Sequence, residues 1–176
     1  RVQQKRERAN SRSPFALFSP QWRSDEATLP HHHPRIAFRR ITRATDTRTM
    51  RVALIPGGRI CTDTAPILLR VNGEERHEAF LIGALSSIPF DWYARRYVET
   101  HMDYHVFFQL PVPNPTEASP LCQRLIQVSG RLAAHDERLS EWAEAVGVEC
   151  GPIDDAAKRE MILELDAIVT HLYGLS

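Results

Sequence analysis

The residues best suited to chemistry in this sequence are arginines and threonines crowded between positions 35 and 51. Six arginines and four threonines stand among these 17 residues, with Asp46 as the one acidic residue of the window. A guanidinium is a planar fork that binds phosphate oxygens or a guanine edge through paired hydrogen bonds, and threonine hydroxyls bond phosphate oxygens. The pattern predicts a surface that binds a polyanion.

A later pair of arginines joins this set, which brings the candidate nucleic-acid-contacting residues to Arg35, Arg39, Arg40, Arg43, Thr45, Arg48, Thr49, Arg51, Arg95 and Arg96. An alternative role stays open for Arg39 and Arg48. Either could instead be internal and tie a strand end to a carboxylate such as Asp46, Asp91 or Asp103. Trp92 could stack on a base, but the spacing of Phe90 and Trp92 favours a place in the core.

Catalytic constellations are missing from the sequence. It contains no glycine-rich phosphate cradle and no Gly-x-Ser-x-Gly nucleophile elbow. The pair Asp154-Asp155 has the position of a helix N-cap rather than of a metal site. The adjacent histidines 31–33 lack the second ligand cluster of a structural zinc site. We therefore predict no catalytic residue, no metal ligand and no cofactor in this chain.

The formal net charge of zero conceals two unlike halves. Residues 1–70 carry 13 Arg and one Lys against five acidic residues, a net charge of +9, whereas residues 71–116 carry −3 and residues 117–176 carry −6. Such a split suggests a polyanion-facing region on a solvated support. Three cysteines without CxxC spacing favour a reducing, cytoplasmic compartment, and no apolar stretch has the length of a membrane helix.

The periodicity predicts an α+β fold. Residues 1–34 should be linker or largely disordered, with a short local element near Phe15–Phe18. Strands are expected at 35–45, 50–55, 65–71 and 104–110. Helical spacing begins at Glu75 and, after the proline-rich boundary at 111–115, dominates the rest of the chain. The predicted organisation is a mixed α/β unit at 35–113 followed by a helical unit at 114–176.

Three sequence blocks carry a family resemblance. RIAFRRITRATDTRTM at 35–50, FLIGALSSIPFDWYARRYVETHMDYHVFFQLPVP at 80–113 and ELDAIVTHLYGLS at 164–176 together resemble the C-terminal target-recognition region of large DNA adenine-N6 methyltransferases. These are the Eco57I-like type IIG restriction-modification enzymes and the related BREX phage-defence methyltransferases. The segment Leu110–Pro113 is similar to the exit from the recognition domain of type I specificity subunits.

The resemblance implies a sequence-specific DNA recognition module whose helical part is a spacer that docks on a methyltransferase domain. That domain, with its Asn-Pro-Pro-aromatic loop and its S-adenosyl-L-methionine, would lie outside this chain, in the same or a partner polypeptide. The expected partners are double-stranded DNA and the methyltransferase domain, without a membrane. Alternatives left open are a protein-interaction scaffold of a multi-subunit defence complex and, least favoured by the residues present, a self-contained metal-dependent nuclease.

Overall fold

The computed structural model describes residues 14–70 and 73–175, and within them helices surround a small antiparallel sheet. The strands are β1 (Arg35–Phe38) and β2 (Val52–Ile55). The α-helices are α1 (Pro20–Ser24), α2 (Glu75–Ser86), α3 (Ile88–Ala94), α4 (Tyr104–Phe107), α5 (Pro120–Ala133), α6 (Ser140–Val146) and α7 (Asp155–Leu172). Short 3-10 turns occupy Pro14–Leu17, Glu26–Thr28, Pro30–His32 and Glu137–Leu139. The predicted α+β class is confirmed.

The sheet pairs β1 with β2 so that Arg35 lies opposite Ile55 and Phe38 opposite Val52. An extended segment runs along the other edge of β1, where the Phe38 N–H donates to the Pro66 carbonyl at 3.0 Å. Sequence periodicity predicts a full strand at 65–71, but the described part of it forms one bridge, between Ala37 and Ile67. Pro66 has no N–H to donate, which limits the ladder. Residue 71 lies outside the described residues.

The strand predicted at 104–110 is wrong, because Tyr104–Phe107 forms helix α4. The Phe107 N–H donates to the Asp103 carbonyl at 2.9 Å, which is the hydrogen-bond step of an α-helix. Phe107 and Leu110 are both buried, and a spacing of three residues brings both to one side of a helical turn. The Phe107 ring stacks on Phe38 at a centroid distance of 4.9 Å.

Helix ends follow the capping residues in the sequence. Asp154 accepts hydrogen bonds at 3.0 Å from the N–H groups of Ala156 and Ala157, so the predicted N-cap is confirmed. Ser87 separates α2 from α3 and accepts from the Phe90 N–H at 3.3 Å. Pro89 follows in the first turn of α3, where its missing N–H leaves no helical bond unmade.

The core is shared between the sheet and the helices on both sides of residue 113. One cluster of buried side chains contains Ile36 of β1, Ile82 of α2, Ile126 of α5 and Trp142 of α6. Helix α2 packs mainly on α5. In α5 and α7, Leu125 and Leu165 are buried, whereas Leu121 and Ile162 are partly exposed. Cys122 takes the buried position beside Leu121.

The described part of the segment predicted as an N-terminal linker has regular local structure. Residues 1–13 lie outside the described residues, whereas 14–32 form consecutive helical turns. Phe18 is buried and stacks on Trp22 at a centroid distance of 3.8 Å. The Gly58 N–H donates to the His31 carbonyl at 2.6 Å, which attaches this segment to the turn after β2.

Candidate nucleic-acid interface

Most of the predicted arginines lie in the connection between β1 and β2, here called the arginine loop (residues 39–51). The Arg39 N–H donates to the Arg51 carbonyl at 2.9 Å, so the two ends of the loop continue the pairing of the strands. The loop therefore leaves the sheet and returns to it at adjacent positions. Its conformation depends on the contacts made between these two ends.

Two buried threonines make hydrogen bonds that link the two sides of the arginine loop. The Thr42 hydroxyl donates to the Thr49 carbonyl at 2.8 Å, and the Thr49 hydroxyl donates to the Arg43 carbonyl at 2.9 Å. Thr49 is fully buried. Its hydroxyl thus satisfies the backbone of the loop and is not presented to a duplex in this conformation.

Asp46 is the acceptor at the centre of the loop. It accepts from the Arg39 guanidinium and from the Arg43 N–H at 3.3 Å, and it lies 3.2 Å from the Thr42 hydroxyl, which shares its single proton between Asp46 and the Thr49 carbonyl. Partial burial acts to raise the pKa of Asp46, but these donors outweigh it and hold the pKa below its ordinary value. Arg39 is therefore paired with a carboxylate, as the sequence left open, but its side chain is 36% exposed rather than internal.

Arg95 joins helix α3 to the arginine loop. Its Nη1 donates to the Ala44 carbonyl and its Nη2 to the Thr47 carbonyl, each at 2.7 Å. Its Nε binds the Asp91 carboxylate, one helical turn away, at 2.8 Å. All three nitrogens of the guanidinium are used within the protein, so the structure gives Arg95 a positioning role.

Two other predicted arginines also bind groups of this chain. Arg40 binds Asp103 at 2.6 Å and Asp63 at 3.3 Å. The hydrogen bond to Asp103 raises the pKa of Arg40, and the same bond lowers the pKa of Asp103. Arg35 is only 4% exposed and donates to the carbonyls of His33 and Arg59.

Arg48 lines a cavity of about 290 Å³ together with Lys158 and His135, between β2 and helices α2, α5 and α7. Its Nη1 is buried and has no hydrogen-bond partner among residues 14–70 and 73–175. A carboxylate partner such as Asp91 or Asp103, which the sequence allowed for Arg48, is not observed within the described part of the chain. Asp91 pairs with Arg95 and Asp103 with Arg40.

The remaining candidates form what we call the exposed arginine surface: Arg43, Thr45, Arg51 and Arg96, all with solvent-exposed side chains. The Arg96 guanidinium lies 4.2 Å from the centroid of the Trp92 ring. Trp92 is 55% exposed, so its expected place in the core is wrong, whereas Phe90 is fully buried as expected. Helix α3 buries Phe90, Asp91 and Ala94 on one side and therefore turns Trp92 outward; Arg96 follows the end of the helix and is also exposed.

The sequence pointed to Arg95 as a nucleic-acid contact and to Asp91 as a possible partner of Arg39 or Arg48, but not to the bonds by which these two residues hold the surface in place. Asp91 and Arg95 have opposite charges and lie four residues apart, a spacing in the sequence that predicts an ion pair along a helix. Their further bonds to the loop backbone have no counterpart in the sequence pattern. Arg95 connects the end of α3 to the arginine loop. Its neighbour Arg96 and the loop arginines therefore belong to one connected part of the structure.

Within the described residues there is no group of three or more His, Cys, Asp and Glu side chains arranged to hold a metal ion. Nor does any helix of that part of the chain have the length and apolarity to cross a bilayer. No protein-family model matches this chain, and no curated protein or solved structure matches it either.

Proposed function

We propose that this chain is a DNA-binding module that reads sequence for a restriction-modification or phage-defence adenine-N6 methyltransferase. The observation that carries the proposal is that the predicted arginines fall into two groups: some bind other residues of this chain, and others are exposed to solvent. Arg39 binds the Asp46 side chain within the arginine loop and Arg95 binds two carbonyls of the loop backbone, whereas Arg43, Arg51 and Arg96 are exposed. A loop backbone held by these bonds lowers the part of the entropic cost of binding that comes from ordering the loop.

Helix α3 adds a second supporting feature. Trp92 is exposed beside Arg96, and an indole face with a guanidinium above it can contact nucleotides by stacking as well as by charge. The target sequence would depend on which of these side chains enters a groove. Phosphate contacts would supply most of the affinity and fix the orientation of the duplex.

The methyltransferase assignment rests on the sequence resemblance of residues 35–50, 80–113 and 164–176. In this proposal methyl transfer and S-adenosyl-L-methionine belong to another domain or subunit, and this chain determines where that domain acts. The gene context tests this part: the reading frame upstream, or an adjacent gene, should encode an Asn-Pro-Pro-aromatic methyltransferase. A context without any methyltransferase would contradict it.

DNA binding is tested by fluorescence anisotropy of the purified chain with a mixed-sequence duplex over a series of salt concentrations. If Arg43, Arg51 and Arg96 each neutralise one phosphate, the logarithm of the binding constant should fall with the logarithm of salt with a slope of about −3. No binding at low salt, or an affinity that does not change with salt, would contradict the proposal. Selection from a random duplex pool then tests whether binding is sequence-specific.

A scaffold role is the second candidate, and exposed apolar residues on α7 favour it. Leu163 is 69% exposed, and Ile162, which precedes it in the sequence, is 37% exposed. Such side chains are available for contact with a partner subunit. Sedimentation velocity distinguishes the two functions: a stable oligomer without affinity for DNA would favour the scaffold, and a DNA-binding monomer the recognition module.

A further inference from the structure

A cavity of about 600 Å³ lies between the N-terminal turns, the segment 60–67 and the start of α4. We call it the Arg35 cavity. Its volume is within the range of small-molecule sites, about 300–1,000 Å³. Much of its wall is apolar and comes from Phe15, Leu29, Ile60, Ile67 and Tyr104.

Arg35 is the unusual residue of this wall. It is 4% exposed, and its guanidinium donates to the carbonyls of His33 and Arg59 and lies 3.6 Å from the Cys61 sulfur. Its Nε is buried and has no hydrogen-bond partner among the described residues. No carboxylate of residues 14–70 and 73–175 forms an ion pair with it, although Arg40 of the same cavity has two.

A buried guanidinium without an anion is costly, because desolvation of the charge is offset only by dipoles such as carbonyl groups. An anionic group in the cavity would compensate the charge of the guanidinium. We propose that the Arg35 cavity binds a small organic monoanion, a carboxylate carried on an apolar or aromatic body. This site is independent of the DNA-binding proposal.

The other charged residues of the cavity favour a carboxylate over a phosphate. Asp63 and Asp103 also line it, and both are already paired with Arg40, so this trio contributes a net charge of −1. Burial, with His32 and Arg35 nearby, lowers the pKa of His31, which keeps this imidazole neutral near pH 7. With Arg35, the charged residues of the cavity therefore sum to zero. The Arg35 guanidinium, which has no carboxylate partner among the described residues, can pair with one negative charge, whereas the second charge of a dianion would have no cation and would be repelled by the aspartates.

The apolar wall defines the rest of the ligand. The phenol of Tyr104 is held by the Ile67 backbone, to whose carbonyl it donates at 2.8 Å, so its ring forms a fixed side of the cavity. A flat ring or a short aliphatic chain can bury its apolar surface there while its carboxylate binds Arg35. A neutral molecule of the same shape would leave the guanidinium uncompensated.

The test titrates the full chain with phenylacetate, with its neutral amide and with phenyl phosphate, and follows arginine Nε–H signals by NMR. We expect saturable binding of phenylacetate with a shift of the Arg35 Nε–H, and much weaker binding of the amide and of phenyl phosphate. Absence of saturation in the millimolar range, where binding free energies are only about 4 kcal/mol, would overturn the proposal. Equal binding of the amide, or tighter binding of phenyl phosphate, would also overturn it.

Two substitutions sharpen the test. Arg35→Gln removes the charge, and we expect phenylacetate affinity to fall by about 10- to 100-fold, as for loss of a charge-assisted hydrogen bond. Because Arg35 is buried, its replacement can disturb folding. A substitution at the exposed rim of the cavity therefore provides a second measurement that does not depend on the folding of Arg35→Gln. Ile60 is 84% exposed; Ile60→Asp should weaken phenylacetate roughly fivefold by repulsion, whereas Ile60→Asn should not. Equal affinity of these two variants would contradict an electrostatic site.

Discussion

The buried carboxylate of Asp91 accepts a hydrogen bond from the backbone N–H of Met50 at 2.7 Å, across 41 positions of the sequence. Its second oxygen binds Arg95, which in turn binds two carbonyls of the arginine loop. This one carboxylate therefore connects helix α3 to the end of the loop and orients the arginine that holds the loop's middle. The shape of the exposed arginine surface depends on it.

Replacement of Asp91 should destabilise the fold. Asp91→Ala leaves the Met50 N–H buried without an acceptor and Arg95 without its anion, so we expect a loss of about 3 kcal/mol. The measurement is the free energy of unfolding from urea titration. Asp91→Asn is the matched control: its amide oxygen can still accept from Met50, and the loss should be smaller. Equal losses in both variants would show that the hydrogen bond to Met50 contributes nothing.

Removal of exposed loop arginines should weaken DNA binding without unfolding the protein. For Arg43→Ala with Arg51→Ala we expect the salt-dependence slope to become less steep by about 2, since two phosphate contacts are lost. Arg159→Ala is the control, because Arg159 is an equally exposed arginine on α7. If Arg159→Ala changed the slope as much as the loop variant, binding would be nonspecific attraction to any exposed cation.

A side chain at Gly83 should disturb the contact between α2 and α5. A Cβ atom there would lie 2.8 Å from Leu125 Cδ1 and 2.8 Å from Ser129 Cβ. Such overpacking costs about 1–3 kcal/mol, against a gain of about 1 kcal/mol from the helix propensity of alanine. We expect Gly83→Ala to lower the free energy of unfolding by about 1 kcal/mol. A gain in stability would show that α5 moves away without cost.

The buried Glu78 should make stability depend on pH. Burial raises its pKa above the ordinary 4.5, while the bond from Trp142 and the charge of Arg70 oppose this shift. A carboxyl with a raised folded-state pKa contributes its full stability below the unfolded pKa and loses it as pH rises through the folded pKa. We therefore expect Glu78→Gln to be more stable than the parent at pH 7 and to lose this advantage near pH 4.

The neighbouring Glu75 provides a control of opposite sign. The hydrogen bond from Arg70, at 2.6 Å, lowers the pKa of Glu75, so its contribution is present above the unfolded pKa and lost as pH falls. Glu75→Gln should therefore be less stable than the parent at pH 7. Urea midpoints of both variants between pH 4 and 8 check these signs. A stability loss in Glu78→Gln at pH 7 would contradict the account of its burial.

Local features of the fold could be predicted from the sequence because neighbouring residues determine them. The cap at Asp154, the break between α2 and α3 and the helical periodicity after residue 116 each depend on side chains within about one helical turn. The density of arginine and threonine between 35 and 51 is likewise a property of the sequence alone. This density predicts that a polyanion-binding surface includes residues 35–51.

Tertiary structure alone decided which of those arginines are exposed. Arg40 finds its carboxylate partner 63 positions away, and Arg95 finds its loop carbonyls about 50 positions away. Similarly, the segment at 104–110 has the composition of a strand, but its first four residues form α4, whose Phe107 packs on the distant Phe38. Sequence patterns report composition and local spacing, whereas the pairing of a charge or a ring depends on which distant residue the fold brings within about 3–5 Å.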